Sequence, residues 1–137
     1  MAVRDTCLCL HTQRAARALA RRFDEALRPV GLSSGQFSLL TALNRPRPAT
    51  MGPVAKLLAI DRTTLTAALK PLERQGLVTV EVDPGDRRNR LLILTDRGRE
   101  TLALAMPIWR ETHAVVEAEL PTLDTSALRA VLNAFGR

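Results

Sequence analysis

The sequence predicts a mainly α-helical fold with one small β-hairpin. Three observations support this prediction. Residues that favour helices, chiefly Leu and Ala, dominate an apolar fraction of 46%, whereas aromatic residues make up only 3% of the 137 residues. Apolar side chains recur at spacings of three and four along most of the chain. Strict alternation of apolar and polar residues begins only at Val78, and a turn and a second strand follow it.

The first predicted helix runs from about Val3 to Arg28, and Pro29 and Gly31 end it. The second begins at Ser33, because a serine followed three positions later by Gln36 forms a capping box. The prolines of residues 44–48 predict a loop.

A third, short helix is predicted from about Met51 to Leu58, with Thr50 as its cap. A fourth helix follows a tight turn at Ala59 and Ile60. Asp61 caps this fourth helix, which runs to about Gln75, and Gly76 suits the position just after a helix.

The hairpin is predicted from Val78–Val82, a turn at residues 83–86 and a second strand at Arg88–Leu94. Thr95 then caps a helix over about residues 96–119, which Pro107 is expected to interrupt. A last helix is predicted at about Thr125–Phe135.

A helix, a tight turn, a capped helix and a hairpin together form the winged helix-turn-helix layout. One face of the fourth helix is apolar, and the opposite face carries short or basic side chains that suit base edges and phosphates. A plain solvated helix face is the alternative. The predicted DNA-binding residues of this helix are Arg62, Thr63, Thr64, Thr66, Ala67 and Lys70.

The predicted hairpin tip, Asp86 to Arg90, carries three arginines within four residues. These arginines, Arg87, Arg88 and Arg90, suit the negative potential of a minor groove. Asp86 is expected to orient Arg88 through a bidentate pair. A solvated hairpin without a partner is the alternative.

Composition is consistent with a nucleic-acid partner but does not settle it. The formal net charge is +6, and only Lys56 and Lys70 of the 20 basic residues are lysine. A coding bias towards arginine is the competing explanation. The chain has no apolar run of transmembrane length and no signal-peptide pattern, so a cytoplasmic protein is expected. Enzyme motifs are absent, and no metal or cofactor is expected.

Four sequence runs together resemble the MarR family of bacterial transcription regulators: DRTTLT at 61–66, LERQGLV at 72–78, DPGDRR at 83–88 and LTDRG at 94–98. The resemblance spans nearly the whole chain. It implies a homodimer that binds a pseudo-palindromic double-stranded operator, with Arg88 as the wing arginine and Asp86 as its partner.

The implied organisation is a single domain over residues 1–137. A winged lobe occupies about residues 33–95, and dimerisation helices occupy about 3–28 and 96–135. The terminal helices carry more apolar surface than one small lobe can bury, which independently favours a dimer. The alternative is a monomer in which the terminal helices cover the core.

The stretch CLHTQRAAR at 9–17 is similar to the start of the family's branch that senses organic hydroperoxides. There a cysteine eight residues before an arginine is the oxidised switch, and Cys9 matches it. Cys7 is a second redox candidate. That branch also uses tyrosines beside the thiol, and this chain has none. The alternative is that Cys7 and Cys9 are ordinary small apolar residues.

A small-molecule effector is the competing signal, since family members often bind aromatic or phenolic ligands between the dimer helices and the winged lobe. The residues expected near such a ligand are Arg14, Arg21, Phe37, Trp109 and His113. A protein-interaction module that does not bind DNA is the remaining functional alternative, and the arginine-rich wing argues against it.

Overall fold

The computed structural model describes residues 2–120 and 122–136. The helices are α1 (Val3–Thr6), α2 (Leu8–Leu27), α3 (Ser34–Leu43), α4 (Met51–Leu58), α5 (Arg62–Arg74), α6 (Asp96–Ala118) and α7 (Thr125–Phe135). The strands are β1 (Ala49–Thr50), β2 (Val78–Asp83) and β3 (Asp86–Leu94). The mainly helical fold with a small β-hairpin is therefore confirmed.

The three strands form one antiparallel sheet in the order β1-β3-β2. Leu92 pairs with Ala49 on one side and with Val80 on the other. The two-residue strand β1 is not expected from the sequence, because a segment that short shows no periodicity. It joins the start of the helix-turn-helix to the wing.

The expected single helix from Val3 to Arg28 is wrong at its beginning. Cys7 has extended backbone angles and separates α1 from α2. Its Sγ atom accepts a hydrogen bond from the backbone N–H of Leu10 at 3.4 Å, so the cysteine caps α2 instead of continuing a helix. At the other end a 3₁₀ turn over Arg28–Val30 follows α2, and Gly31 closes it with a φ of 73°.

Several predicted helix signals are confirmed. The Ser33–Gln36 capping box is present in both directions, and Gly76 has a φ of 74° just after α5. Thr50 precedes α4, but its side chain makes no capping hydrogen bond. The expected interruption at Pro107 is wrong. Helix α6 continues through this residue, because Leu102 and Ala105 before it and Ile108 and Trp109 after it pack on the same core.

The hydrophobic core lies inside the winged lobe and reaches into the flanking helices. Its fully buried side chains include Leu40, Leu65, Leu72 and Leu92 of the lobe and Leu27 at the end of α2. The first half of α6 also contributes to this core. Burying aliphatic side chains from both parts fixes α5 and the hairpin relative to one another.

The lobe meets α6 at a close backbone contact. The backbone N–H of Thr95 donates to the carbonyl of Leu77 at 3.0 Å, and the Thr95 hydroxyl donates to the carbonyl of Gly76 at 2.7 Å. Gly98 lies against the same Leu77 carbonyl, and a Cβ atom placed on it would be 2.2 Å from that oxygen. Only glycine permits this approach of α6 to the lobe.

Candidate nucleic-acid interface

Helix α5 presents one buried face and one exposed face, as the sequence predicts. Leu65, Leu69 and Leu72 are buried against the core. The exposed face carries the predicted DNA-binding residues Arg62, Thr63, Thr64, Thr66, Ala67 and Lys70. These side chains therefore lie on the side of α5 that a partner can reach.

The start of α5 is fixed by Asp61. Its Oδ1 atom accepts a hydrogen bond from the backbone N–H of Thr64 at 2.7 Å. This hydrogen bond holds the pKa of the Asp61 carboxyl below its usual range. The Asp61 carboxylate stays ionised at neutral pH, and its negative charge interacts favourably with the positive end of the helix dipole.

The wing differs in detail from the prediction. Strand β3 begins at Asp86, not at Arg88, and the tip is the turn at Pro84 and Gly85. The predicted tip residues Asp86 to Arg90 therefore lie along the strand that follows the turn. Asp83 pairs with Asp86 across the turn, and Val82 pairs with Arg90. The register therefore shifts between these two pairs, and residues 87–89 have no pairing partner in β2.

Asp86 and Arg88 form the expected bidentate pair. The Nε atom of Arg88 lies 3.2 Å from Asp86 Oδ1, and its Nη2 atom lies 3.3 Å from Oδ2. The backbone N–H of Arg88 also donates to Oδ1 at 3.1 Å. The Arg88 side chain is still 90% exposed, so the pair orients the guanidinium without withdrawing it from solvent.

The other two wing arginines are exposed as well. Arg90 donates through Nη1 to the carbonyl of Arg87 at 3.1 Å. This contact turns the Arg90 side chain back along its own strand. Neither Arg87 nor Arg90 forms an ion pair within the part of the chain that is described.

A cleft of about 410 Å³ separates α5 from the hairpin. Arg62, Thr66 and Lys70 line its α5 side, and Arg88 and Arg90 line its β3 side. Five of the predicted residues thus converge on one basic cleft. The other five, Thr63, Thr64, Ala67, Asp86 and Arg87, are not among the residues that line it.

Five lining residues were not predicted as part of the site: Met51, Leu69, Glu73, Val80 and Asn89. Glu73 lies seven positions after Thr66 and three after Lys70, so helical spacing alone places it on this face. Asn89 lies inside the arginine run itself. Met51 reaches the cleft because β1 pairs with β3, which no local sequence signal indicates.

A second cluster is aromatic and lies where α3 meets α6. The Phe37 and Trp109 rings are stacked with centroids 6.3 Å apart, and the Trp109 and His113 rings with centroids 4.8 Å apart. The Nδ1 atom of His113 lies 3.0 Å from Glu117 Oε1. Three of the predicted effector residues are therefore neighbours.

Two clefts adjoin this cluster and share Trp109. The first, of about 400 Å³, is mostly apolar and is lined by Phe37 and Leu57 among others. The second, of about 480 Å³, is lined by Arg110, His113, Glu117 and Arg129. Arg14 and Arg21 line neither cleft, and both are exposed on α2.

The two cysteines occupy different environments at the start of α2. Cys7 is half-buried and caps the helix, whereas Cys9 is exposed. His11 and Arg14 follow on the same helix and are exposed too. An oxidant therefore has access to the Cys9 thiol without local unfolding.

Together, the exposed face of α5, the basic wing and the intervening cleft define a winged helix-turn-helix protein. Residues 30–89 match the sequence profile of the MarR family. The chain is 38% identical to the transcriptional regulator MosR of M. tuberculosis, solved in complex with DNA. That similarity covers 95% of this chain and 93% of MosR, with a TM-score of 0.85.

The transcriptional repressor CouR, solved bound to a DNA duplex, is 33% identical over all of this chain and 97% of CouR, with a TM-score of 0.83. BadR of Rhodopseudomonas palustris, a transcriptional activatory protein, is 33% identical over 81% of this chain. That match spans 66% of BadR, just under two thirds of its length.

The chain belongs to the MarR family of transcription regulators, as the sequence motifs indicate. MosR, CouR and BadR are all named as regulators of transcription. None of the helices in residues 2–120 and 122–136 has both the length and the apolar character needed to cross a bilayer.

The Asp86–Arg88 pair makes a prediction about pH. Hydrogen bonds from Arg88 hold the pKa of Asp86 below its usual value. The pair therefore contributes fully to the free energy of unfolding above the unfolded-state pKa of about 3.9. This contribution is lost as the pH falls through the lower folded-state pKa of Asp86. In an Arg88→Ala variant we expect the pKa of Asp86 to rise, as measured by carboxyl carbon NMR. Arg87→Ala is the matched control, and an equal rise in both variants would contradict the assigned pair.

Proposed function

We propose that this protein is a cytoplasmic, homodimeric transcription repressor that binds a pseudo-palindromic DNA operator. The observation that carries the proposal is the convergence of Arg62, Lys70, Arg88 and Arg90 on one cleft between α5 and the wing. A DNA strand that passes between a helix in the major groove and a wing in the minor groove would meet these charges.

Each element has its own role in the proposal. Thr63, Thr64, Thr66 and Ala67 are short enough to let the α5 backbone approach base edges and thymine methyl groups. Arg62 and Lys70 contact phosphates on either side of that face. On the wing, Arg87, Arg88 and Arg90 enter the minor groove.

The dimer is proposed from the apolar surface of the terminal helices. None of the eleven residues of α7 is buried in the described part of the chain, although Val131, Leu132 and Phe135 are large and apolar. Leu8 and Leu19 of α2 are exposed in the same way. A two-fold pairing of these helices would cover both surfaces and set two α5 helices about 34 Å apart, one turn of B-DNA.

Repression is the proposed mode, and CouR, a repressor by name, supports it. BadR is named as an activatory protein, so similarity alone does not decide between repression and activation. Operator position decides it: a dimer that covers the polymerase site represses. The protein-interaction alternative requires no DNA affinity and is excluded by any salt-sensitive operator binding.

A small-molecule effector is a second component of the proposal. CouR has also been solved bound to p-coumaroyl-CoA, at 30% identity to this chain. The apolar cleft beside Phe37 and Trp109 suits an aromatic ring, and the adjoining cleft beside His113 and Arg129 suits an anionic group. We propose an aromatic acid or its thioester as the class of effector.

Oxidation of Cys9 is the competing signal. A thiolate at this position would attack a peroxide oxygen, break the O–O bond and leave a sulfenic acid with release of water or an alcohol. The exposure of Cys9 supports this proposal. The capping role of Cys7 supports a structural assignment for that residue.

The DNA-binding proposal predicts a charge-specific loss of affinity. Arg88→Ala should weaken binding to a duplex from upstream of the protein's own gene by about tenfold, because it removes an oriented wing contact. The slope of log affinity against log salt should become shallower by about one. Fluorescence anisotropy measures both.

Arg45→Ala is the matched control. Arg45 is also an exposed arginine, but it lies near the last residues of β3, away from the hairpin turn. We expect it to change affinity by less than about twofold. Equal losses in the two variants would show that net charge alone, and not the wing, drives binding.

The redox proposal predicts that cumene hydroperoxide lowers operator affinity of the wild type and that Cys9→Ser abolishes this response. Titration of the duplex with oxidised and reduced protein measures it. Cys7→Ser is the control and should keep the response, since only Cys9 occupies the position of the oxidised switch. A response that survives in Cys9→Ser would refute redox sensing by this thiol.

A further inference from the structure

The charges that line the cleft between α5 and the hairpin change sign along α5. Arg62 lies in the first turn of this helix, Lys70 lies further along it, and Glu73 lies in its last turn. Glu73 is the only acidic residue among the described residues that line the cleft. At 1.5 Å per residue, it lies about 16 Å from Arg62 along the helix axis. The cleft is therefore basic at the start of α5 and carries a carboxylate at the far end.

No basic side chain neutralises this carboxylate at close range. Glu73 is exposed and forms no ion pair within the part of the chain that the structure describes. The two arginines across the cleft are engaged elsewhere: Arg88 is bonded to Asp86, and Arg90 donates to two carbonyl groups of its own strand. The negative charge of Glu73 therefore acts on whatever enters this end of the cleft.

The end of α5 adds to the same negative potential. The carbonyl groups in the last turn of a helix carry a partial negative charge, and α5 ends at Arg74. Arg74 follows Glu73 directly, but it lies about 100° further round the helix and is not among the residues that line the cleft. A phosphate at this end meets both the carboxylate and the helix end, and both repel it.

A contact to a base is the other role that a carboxylate on α5 could have, because carboxylates accept hydrogen bonds from the amino group of cytosine. The short side chains proposed to approach base edges end at Ala67, six residues before Glu73, which is about 9 Å along the helix. Glu73 instead shares the cleft with Lys70 and the wing arginines, where the proposed function places a phosphate strand. The position of Glu73 therefore favours repulsion of phosphates.

We propose that Glu73 is a specificity-determining residue, which repels phosphates from the far end of the cleft and thereby lowers the affinity for DNA of unrelated sequence. A non-specific complex depends on phosphate contacts alone, so its strand can shift along the cleft towards Glu73. In the operator complex, contacts to bases fix the register of the strand. The discrimination between the two kinds of DNA rests on the proposed function, whereas the repulsion of phosphates does not.

Affinities for two duplexes of equal length, measured by fluorescence anisotropy at one salt concentration, test this role. Glu73→Gln removes the charge and keeps the shape of the side chain. Its affinity for an unrelated duplex should rise by about fivefold, and its affinity for the upstream duplex by less than about twofold. Glu73→Asp keeps the charge and should stay within about twofold of the wild type on both duplexes.

Glu100→Gln is the matched control, because it makes the same change in net charge at an exposed residue of α6 that does not line the cleft. We expect it to change either affinity by less than about twofold. Equal gains in Glu73→Gln and Glu100→Gln, or an unchanged affinity of Glu73→Gln for the unrelated duplex, would overturn the proposal.

The remaining outcomes separate the proposal from its alternatives. A loss of affinity for the upstream duplex in Glu73→Gln would indicate a contact to a base and would overturn repulsion. A gain of equal size on both duplexes would overturn the role in specificity. If the wild type does not prefer the upstream duplex, the proposed function fails, while the unrelated duplex still decides whether Glu73 repels phosphates.

Discussion

The contact between Gly98 and the carbonyl of Leu77 is the constraint on which the arrangement depends. It allows α6 to begin directly against the end of α5 and the start of β2, with Thr95 bonded to both neighbouring carbonyls. Because a side chain at position 98 would collide with backbone, this approach has no tolerance for a larger residue. The recognition helix, the wing and the first half of α6 therefore pack together on one core.

This shared packing increases what the exposed basic side chains can contribute to DNA binding. Single surface arginines contribute little, since water screens them and their side chains are mobile. Here α5 and β3 hold basic side chains on two sides of one cleft, and Asp86 fixes the direction of Arg88. A phosphate backbone meets such an array with little reordering of the protein, which favours affinity and register together.

Local signals predicted most of this fold. Ser33, Asp61 and Thr95 cap helices because each side chain bonds a backbone N–H three residues on. The features that were missed depend on distant partners: β1 exists only because β3 lies beside it, and α6 continues through Pro107 because packing on both sides holds it. For the site, residue types on α5 and the wing were predictable, whereas the cleft that joins them needed the tertiary structure.

In the proposed dimer, two such lobes bind one face of DNA together. Hydroxyl-radical footprinting of the upstream duplex tests it most directly. We expect two protected patches centred about 34 Å apart, one helical turn, on the same face of the duplex. A single protected patch, or no protection at low salt, would contradict it.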